Sequence, residues 1–524
     1  MPRYVISLDC GTQSVRALMF DTLGNLLAKT KSEFEPYFSL KPGYAEQHPD
    51  LYFEGLCDCL KALSVMEPER ILDVEAVCLT TLRDTGVFLD EAYEVVRPSM
   101  LWLDQRTARC EQPLPAKDRA MFKAVGMTRA INVTRRLAKV NWMRENEPEN
   151  WHNTRYYVLL PAFLQHRFTG HLVDSIGNQI GHVPFHYKTQ NWPRSKHDYR
   201  WPLFGIEREK LYPLNQPGDI VGPIKDEVAM RTGLKKGTLM ISGGSDKGCE
   251  TLGVGCVDLT TASLSFGTTA TIQTTSPHYF EPIPFMPPYP ACIPKRYNPE
   301  VQVFRGYWMI RWFKNEFASR EMEEAKRQGI PPEEMLNQSL KSVSPGSNGL
   351  ILQPYWTPGL KEPDAKGCIL GFNDTHTRAH VYRAIIEGIN YGLMDGLSKI
   401  EKKSKTKVKR LFVSGGGSQS DEICQITADM FNLDVYKGET YEAAGLGAAI
   451  IACVGLGVYP SFEEAVSQMV RYSKGFKPDP RTAETYSAIY RKVYVHIYSS
   501  LSSLYATMNH ILNKQEAPYE QGEE

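Results

Sequence analysis

Two strand–glycine–threonine–strand units, about 250 residues apart, constrain this chain more than any other feature. The first runs from Tyr4 to Leu8, turns at Cys10-Gly11-Thr12-Gln13, and resumes from Val15 to Phe20. The second runs from Ala262 to Phe266, turns at Gly267-Thr268-Thr269, and resumes from Ala270 to Thr274. Each reads as a β-hairpin, because two β-rich runs flank a short Gly-containing turn. Their recurrence splits the 524 residues into two related halves of domain size.

Further strand–loop joints fit the same alternation. Glu75 to Leu79 precedes Thr80-Thr81-Leu82-Arg83-Asp84, Thr238 to Ser242 precedes Gly243-Gly244-Ser245-Asp246, and Leu411 to Ser414 precedes Gly415-Gly416-Gly417-Ser418. Helical spacing of Ile423, Ile426, Met430 and Phe431 starts a helix near Ser420. The uncharged stretch from Ala443 to Tyr459 is Gly- and Ala-rich and falls short of the ~20 apolar residues a spanning helix needs. It reads as a buried, closely packed helix. Residues 277–294 are Pro-rich and read as an irregular loop, the basic run 399–410 as a solvated helix end, and the last forty or so residues as helical with a polar tail at 517–524. The expected architecture is α/β with two domains, 1–248 and 249–480, and a C-terminal helical extension, 481–524.

Composition narrows the function classes. Lys+Arg and Asp+Glu both number 60, so no net field draws the chain to nucleic acid or to an anionic membrane. The 11 cysteines contain no C-x-x-C pair, which fits a reducing compartment. Cys57 with Cys59, and His182 with His186, lack ligand company at metal-site spacing and read as structural or surface pairs. The opening MPRYVISLDCG has no signal-peptide pattern, so a cytoplasmic protein is expected.

In open α/β sheets, ligands collect at the C-terminal ends of strands. Here those ends carry glycines and acids. Glycine lets backbone N–H groups approach a phosphate, and a neighbouring Thr or Ser adds a hydroxyl donor. The loops at Gly11-Thr12, Gly267-Thr268-Thr269 and Gly415 to Ser418 therefore read as three contacts to one phosphorylated ligand. Asp9 fits a water-mediated Mg²⁺ site. Asp246 fits a base that takes the proton of an attacking hydroxyl.

The ordered set of motifs resembles the FGGY carbohydrate kinases, the group with glycerol, xylulose, ribulose and autoinducer-2 kinases. Asp9-Cys10-Gly11-Thr12-Gln13-Ser14-Val15-Arg16 is similar to the family's D-x-G-T-[TS]-S-x-R loop. Leu101-Trp102-Leu103-Asp104-Gln105-Arg106 resembles its W-x-D-x-R segment, and Lys139-Val140-Asn141-Trp142 the core of its first signature. Ser242 to Asp246 resembles the G-G-x-D that carries the base, and Ser265 to Thr269 the second phosphate loop. Gly367, Ile369 and Gly371, then His380-Val381 and Ala384 to Glu387, follow the second signature. Gly415 to Ser418 resembles the adenosine loop, and Glu442 to Ala449 the late helix motif.

The resemblance implies two actin-like, ribonuclease-H-like domains with ATP in the cleft between them. It implies transfer of the γ-phosphoryl group of ATP to a primary hydroxyl of a small sugar or polyol. Asp246 is then the base, and Asp9 and Asp246 orient Mg²⁺ through water. Gly11, Thr12, Gln13, Ser14 and Arg16 with Gly267, Thr268 and Thr269 hold the phosphates, and Gly415, Gly416, Gly417 and Ser418 receive the adenosine. Arg83, Asp84, Trp102 and Asp104 position the acceptor. A homodimer or homotetramer is also implied.

Departures bear on the acceptor. Gln13 replaces the family's Thr or Ser, and Phe372 an aliphatic residue; Thr134 stands about where glycerol kinases carry a Tyr. Arg83-Asp84 is closer to the glycerol and autoinducer-2 type than to the Q-M-H-G of xylulose kinases. Arg135 and Arg136 read either as surface cations or as contacts to an anionic acceptor. Two other classes compete: an idle sugar sensor on this fold, and an actin- or chaperone-like nucleotide switch. Retained Asp9 and Asp246 argue against the first, and the Arg83 and Trp102 segments against the second.

Overall fold

The computed structural model of the chain describes residues 3–357 and 364–516. Its frame is a pair of six-stranded sheets with one shared plan. In the first, strands run in the order Ile220–Pro223, Leu239–Ser245, Val74–Thr81, Tyr4–Cys10, Ser14–Asp21, Leu26–Glu33. In the second, the order is Tyr472–Phe476, Asp434–Gly438, Arg410–Ser414, Thr261–Phe266, Ala270–Gln273, Glu300–Val303. Each sheet has three parallel strands at its centre and an antiparallel strand at the edge beyond them. Each expected hairpin forms the other side. The edge strand precedes its partner in the first half and follows it in the second, so the halves are related but not superposed in chain order.

The central strands are buried nearly along their whole length, as expected when both sheet faces are covered. The helices Asp50–Met66 and Leu160–Thr169 pack into the core of the first sheet. The long helix Arg378–Ser404 packs into that of the second. A small four-stranded sheet, Glu46–Gln47, Val95–Met100, Gly86–Leu89 and Tyr156–Leu159, is inserted in the first half. It carries the 101–106 segment at its rim.

The halves meet through two helices. Ala443–Gly455 belongs to the second half by sequence, yet its Leu446, Ile450 and Cys453 share a core with Val5, Ala76 and Ile241 of the first sheet. It crosses Asp246–Gly253 at backbone contact distance. A Cβ placed on Gly447 would lie 1.9 Å from the Cys249 carbonyl oxygen, and one on Gly253 would lie 1.9 Å from that of Ala443. The Gly-rich composition of this stretch thus serves close helix packing, as expected from sequence.

Several boundaries differ from expectation. Thr80 and Thr81 are the last residues of their strand rather than loop. Residue 248 lies inside the helix Asp246–Gly253, so the boundary expected at 248/249 cuts an element; the connection to the second sheet runs through 254–260. The 277–294 loop contains one short strand, Tyr289–Pro290, paired with Tyr297–Asn298. The C-terminal helices are no appendage, because Tyr486, Tyr494 and Ile497 belong to the second core. The tail at 517–524 lies outside the described residues. Cys57 and Cys59 are buried core residues. Among the described residues, no helix is long and apolar enough to cross a membrane.

The helix crossing yields a test. Gly447→Ala should destabilise the protein by about 2 kcal/mol or more, because the new methyl must displace backbone rather than a flexible side chain. Chemical denaturation of the variant beside the parent measures it.

Candidate active site

The strand ends of the first sheet bring Asp9, Arg83 and Asp246 to one edge of the cleft. Asp9 is the next-to-last residue of its strand and faces Arg16 of the next one in the ladder. Arg16 Nη1 donates to Asp9 Oδ2 at 3.1 Å and reaches Glu442 Oε2 at 3.4 Å. Burial, with the charges of Asp246 and Glu442, pushes the Asp9 carboxyl up to about 6 against the pull of Arg16. Arg16 is thus the partner of the acid rather than a group free for phosphate.

Asp246 opens its helix, with Ser245 as N-cap accepting from the Gly248 amide. Its Oδ1 accepts from the Lys247 amide at 2.7 Å and lies 3.8 Å from Arg83 Nε. Burial raises its pKa, while Arg83 and Lys247 oppose the shift. A carboxylate raised in this way is a better proton acceptor than an ordinary surface Asp.

Arg83 is clamped from the other half. Its Nη1 lies 3.3 Å from both carboxylate oxygens of Glu300, whose side chain is 1% exposed. The guanidinium stacks 4.8 Å from the centre of the Tyr289 ring. Among the described residues, Arg83 Nε is buried and meets no hydrogen-bond acceptor. A donor without a partner beside a raised carboxylate is a place prepared for a hydroxyl oxygen.

Asp84 turns the other way, with φ of 51°. Its Oδ2 is 2.8 Å from His182 Nδ1 and 3.5 Å from Lys139 Nζ, and its Oδ1 accepts from the His182 amide at 2.9 Å. Burial opposes ionisation, but His182 and Lys139 hold its carboxyl well below the usual carboxylate range. His182 therefore separates from His186, whose ring accepts from the Thr189 amide. Trp102 is about half exposed and donates from Nε1 to Thr12 Oγ1 at 3.1 Å. Its ring lies at the rim, not in a core.

Asp104 is a correction to the expected acceptor set. Its carboxylate is buried and taken by the Ala45 and Arg106 amides and by the Arg106 guanidinium, at 2.7–3.0 Å. It shapes the rim loop and has no oxygen left for a sugar.

The phosphate loops are also specific in what they leave free. The Gly11 amide is used by the Ser14 carbonyl at 2.9 Å. The amides of Thr12, Gln13, Thr268 and Thr269 meet no acceptor among the described residues. Gly267 and Thr268 carbonyls accept from the amides of Tyr307 and Trp308, which fixes the second loop. Gly415 has φ of 80°, the left-handed region that favours glycine. Ser418 is buried and donates to the Gly415 carbonyl at 2.7 Å, so its hydroxyl braces the loop instead of facing a ligand. Gly243, read as opening the loop before Asp246, lies inside the strand Leu239–Ser245 and is a packing residue: a Cβ there would sit 1.8 Å from the Leu79 carbonyl oxygen.

A buried polar cluster links the Asp246 helix to the strand ends before the Gly267 and Gly415 loops. Lys247 Nζ donates to Glu250 Oε2 at 2.7 Å and to Ser265 Oγ. Ser265 and Ser414 each donate to Glu250 Oε1, at 2.9 and 2.7 Å. Burial opposes the charge, yet Lys247 and the two hydroxyls hold Glu250 below its ordinary value. Ser265 is next to last, and Ser414 last, in the strands that lead into Gly267 and Gly415. Sequence reading missed Glu250, Glu300, Tyr289 and His182. Lys247 and Glu250 follow the G-G-x-D on one helix face, which was the available signal.

Two family models match the chain: the N-terminal domain of the FGGY family of carbohydrate kinases over residues 4–253, and its C-terminal domain over residues 262–456. A xylulose kinase of Lactococcus lactis is 29% identical over 517 residues, covering 96% of this chain and 97% of that protein. The crystal structure of xylulose kinase from Rhodospirillum rubrum matches with a TM-score of 0.82 at 23% identity, covering 96% of this chain and all of that one. That of gluconate kinase from Lactobacillus acidophilus matches with 0.81 at 23% identity, covering 97% of this chain and all of that one. These likenesses carry the two-domain actin-like fold. The chain belongs to the FGGY family of carbohydrate kinases, and it is a phosphotransferase that uses ATP and an alcohol acceptor on a carbohydrate.

Proposed function

We propose that the acceptor is a small neutral polyol or ketose, held by Arg83 and Trp102 and phosphorylated at a primary hydroxyl. The observation that carries this reading is the unpartnered Arg83 Nε beside Asp246. A hydroxyl there accepts from Arg83 and donates to Asp246, which takes its proton as the oxygen attacks phosphorus. Neutrality follows from the charge pairing. Arg83 is matched by Glu300, and Lys139 and His182 are matched by Asp84. No cation is left over here for a carboxylate on the acceptor. Asp84 sets the shape of the Arg83 turn through His182 and Lys139. The intact Asp9–Asp246 pair also disfavours an idle sensor.

Mg²⁺ fits the acids present. Burial, with the charges of Asp246 and Glu442 beside it, holds Asp9 near 6, and Mg²⁺ takes one or two carboxylates with water and phosphate oxygens. When bound with ATP, the ion supplies charge neutralisation on the phosphates. Asp9 and Asp246 would orient it through water. The free amides of Thr12, Gln13, Thr268 and Thr269, with the two Thr hydroxyls, hold the phosphates from both halves. Gly415 to Gly417 present backbone to the adenosine. Closure of the halves would exclude water and protect ATP from hydrolysis.

Asp246→Asn should lower acceptor-dependent ADP release by roughly 10²-fold or more while ATP still binds. The assay runs over a panel of glycerol, erythritol, xylulose, ribulose and gluconate. A preferred neutral acceptor with an Asp246-dependent rate is the expected result; preference for gluconate would overturn the neutral reading. Arg83→Leu should raise the acceptor KM far more than the KM for ATP, measured by varying each substrate in turn.

Asp9 has a pH signature. Its native pKa lies above the unfolded value, so the folded state binds the proton more tightly. Stability is therefore lost as pH rises between about 4 and 6. Asp9→Asn removes that loss. Without nucleotide, the variant's melting temperature relative to the parent should be higher near neutrality than near pH 4, read by thermal unfolding at both.

A further inference from the structure

A second basic site lies outside the cleft. The helices Ala116–Ala124 and Thr128–Leu137, with the 109–114 segment before them, enclose a pocket of about 500 Å³. Arg119, Lys123, Arg135 and Arg136 line it, together with Arg109 and Glu111, which pair loosely at 3.9 Å. Among the described residues, no carboxylate forms an ion pair with the first four cations. Glu145 accepts instead from the backbone amides of Arg109 and Cys110, at 2.7 and 2.8 Å. Arg136 Nε donates to the Ala108 carbonyl at 3.2 Å. Arg135 Nε is buried and meets no acceptor among the described residues. None of the acceptor-site residues lines this pocket, so Arg135 and Arg136 are neither scattered surface cations nor contacts of the main cleft.

Four unneutralised cations around one concavity repel each other and raise the free energy of the empty protein. The buried guanidinium nitrogen adds the cost of an unmade hydrogen bond. Both costs fall when an anion with several acceptor oxygens enters. Guanidinium forks match phosphate oxygens two at a time, and the volume lies in the range of small-ligand pockets. We propose that this pocket binds a phosphate-bearing small molecule. The site has a physical route to the cleft. The helix Thr128–Leu137 runs through Ala138 into Lys139, which touches Asp84, and Asn141 Nδ2 donates to the Arg135 carbonyl at 2.9 Å. A bound anion would stiffen that support.

The pocket contains its own reporter. Cys110 lines it and is partly exposed; Cys368 is the one other free cysteine of that class among the described residues, and it lies in the second half. Burial pushes the Cys110 thiol up, so alkylation is run at mildly alkaline pH. The full chain is treated with iodoacetamide and each cysteine followed by peptide mass spectrometry. Probes are inorganic phosphate, pyrophosphate and glycerol 3-phosphate at millimolar concentration, with citrate as a non-phosphate anion. The expected result is a several-fold slowing at Cys110 with at least one phosphate probe and none at Cys368. The slowing should vanish in Arg119→Ser/Arg135→Ser and weaken in Lys123→Gln, whose exposed side chain leaves folding intact. Unchanged melting curves in both variants keep the comparison valid. No slowing by any phosphate probe, slowing by citrate alone, or slowing that persists in the double variant with Lys123→Gln also unaffected would overturn the proposal.

Discussion

The crossing of Asp246–Gly253 with Ala443–Gly455 is the constraint on which the cleft depends. Its closeness is possible because neither helix presents a side chain at the contact: Gly253 faces the Ala443 carbonyl and Gly447 faces that of Cys249. The helix that begins with Asp246 is thereby braced by an element of the other half. Glu442, at the start of the second helix, reaches Arg16 and Lys29 on the first hairpin. Position of the base, position of Asp9 and the junction between halves are one packing problem with one solution.

From that junction, polar contacts distribute the geometry outward. Glu250, one turn beyond the base, gathers Lys247, Ser265 and Ser414. The strand ends feeding the Gly267 and Gly415 loops are therefore referenced to the same helix as Asp246. Arg83 is referenced to the second half by Glu300 and Tyr289. Buried ion pairs of this kind are weak sources of stability, because desolvation offsets much of the Coulomb gain. Their value here is placement of the Arg83 guanidinium beside Asp246.

Much of this was legible from residue order. The hairpins, the central strands and the buried Gly-rich helix follow from apolar runs with glycine punctuation. Asp9 and Asp246 follow from acids at strand ends. What was not legible is the direction of side chains and contact across long separations. Asp104 sits in a segment that reads as substrate-binding, yet only the fold shows Arg106 and the Ala45 amide surrounding it. Ser418 likewise turns into its own loop. Glu300 meets Arg83 across 217 residues, and His182 meets Asp84 across 98, with no local pattern marking either partner. The boundary expected at 248/249 falls inside the helix Asp246–Gly253, whose end the residue order does not mark.

The bond from Trp102 Nε1 to Thr12 Oγ1 joins a residue at the acceptor rim to the tip of the first phosphate loop. A hydroxyl that accepts one hydrogen bond still has its own proton to donate. Hydrogen bonds in series polarise one another. A phosphate oxygen that takes the Thr12 proton makes that oxygen a better acceptor for the indole, and so holds the Trp102 ring more firmly at the rim. On the proposed reading, one side-chain oxygen would thus stand between the donor and acceptor substrates and couple them through two hydrogen bonds in series.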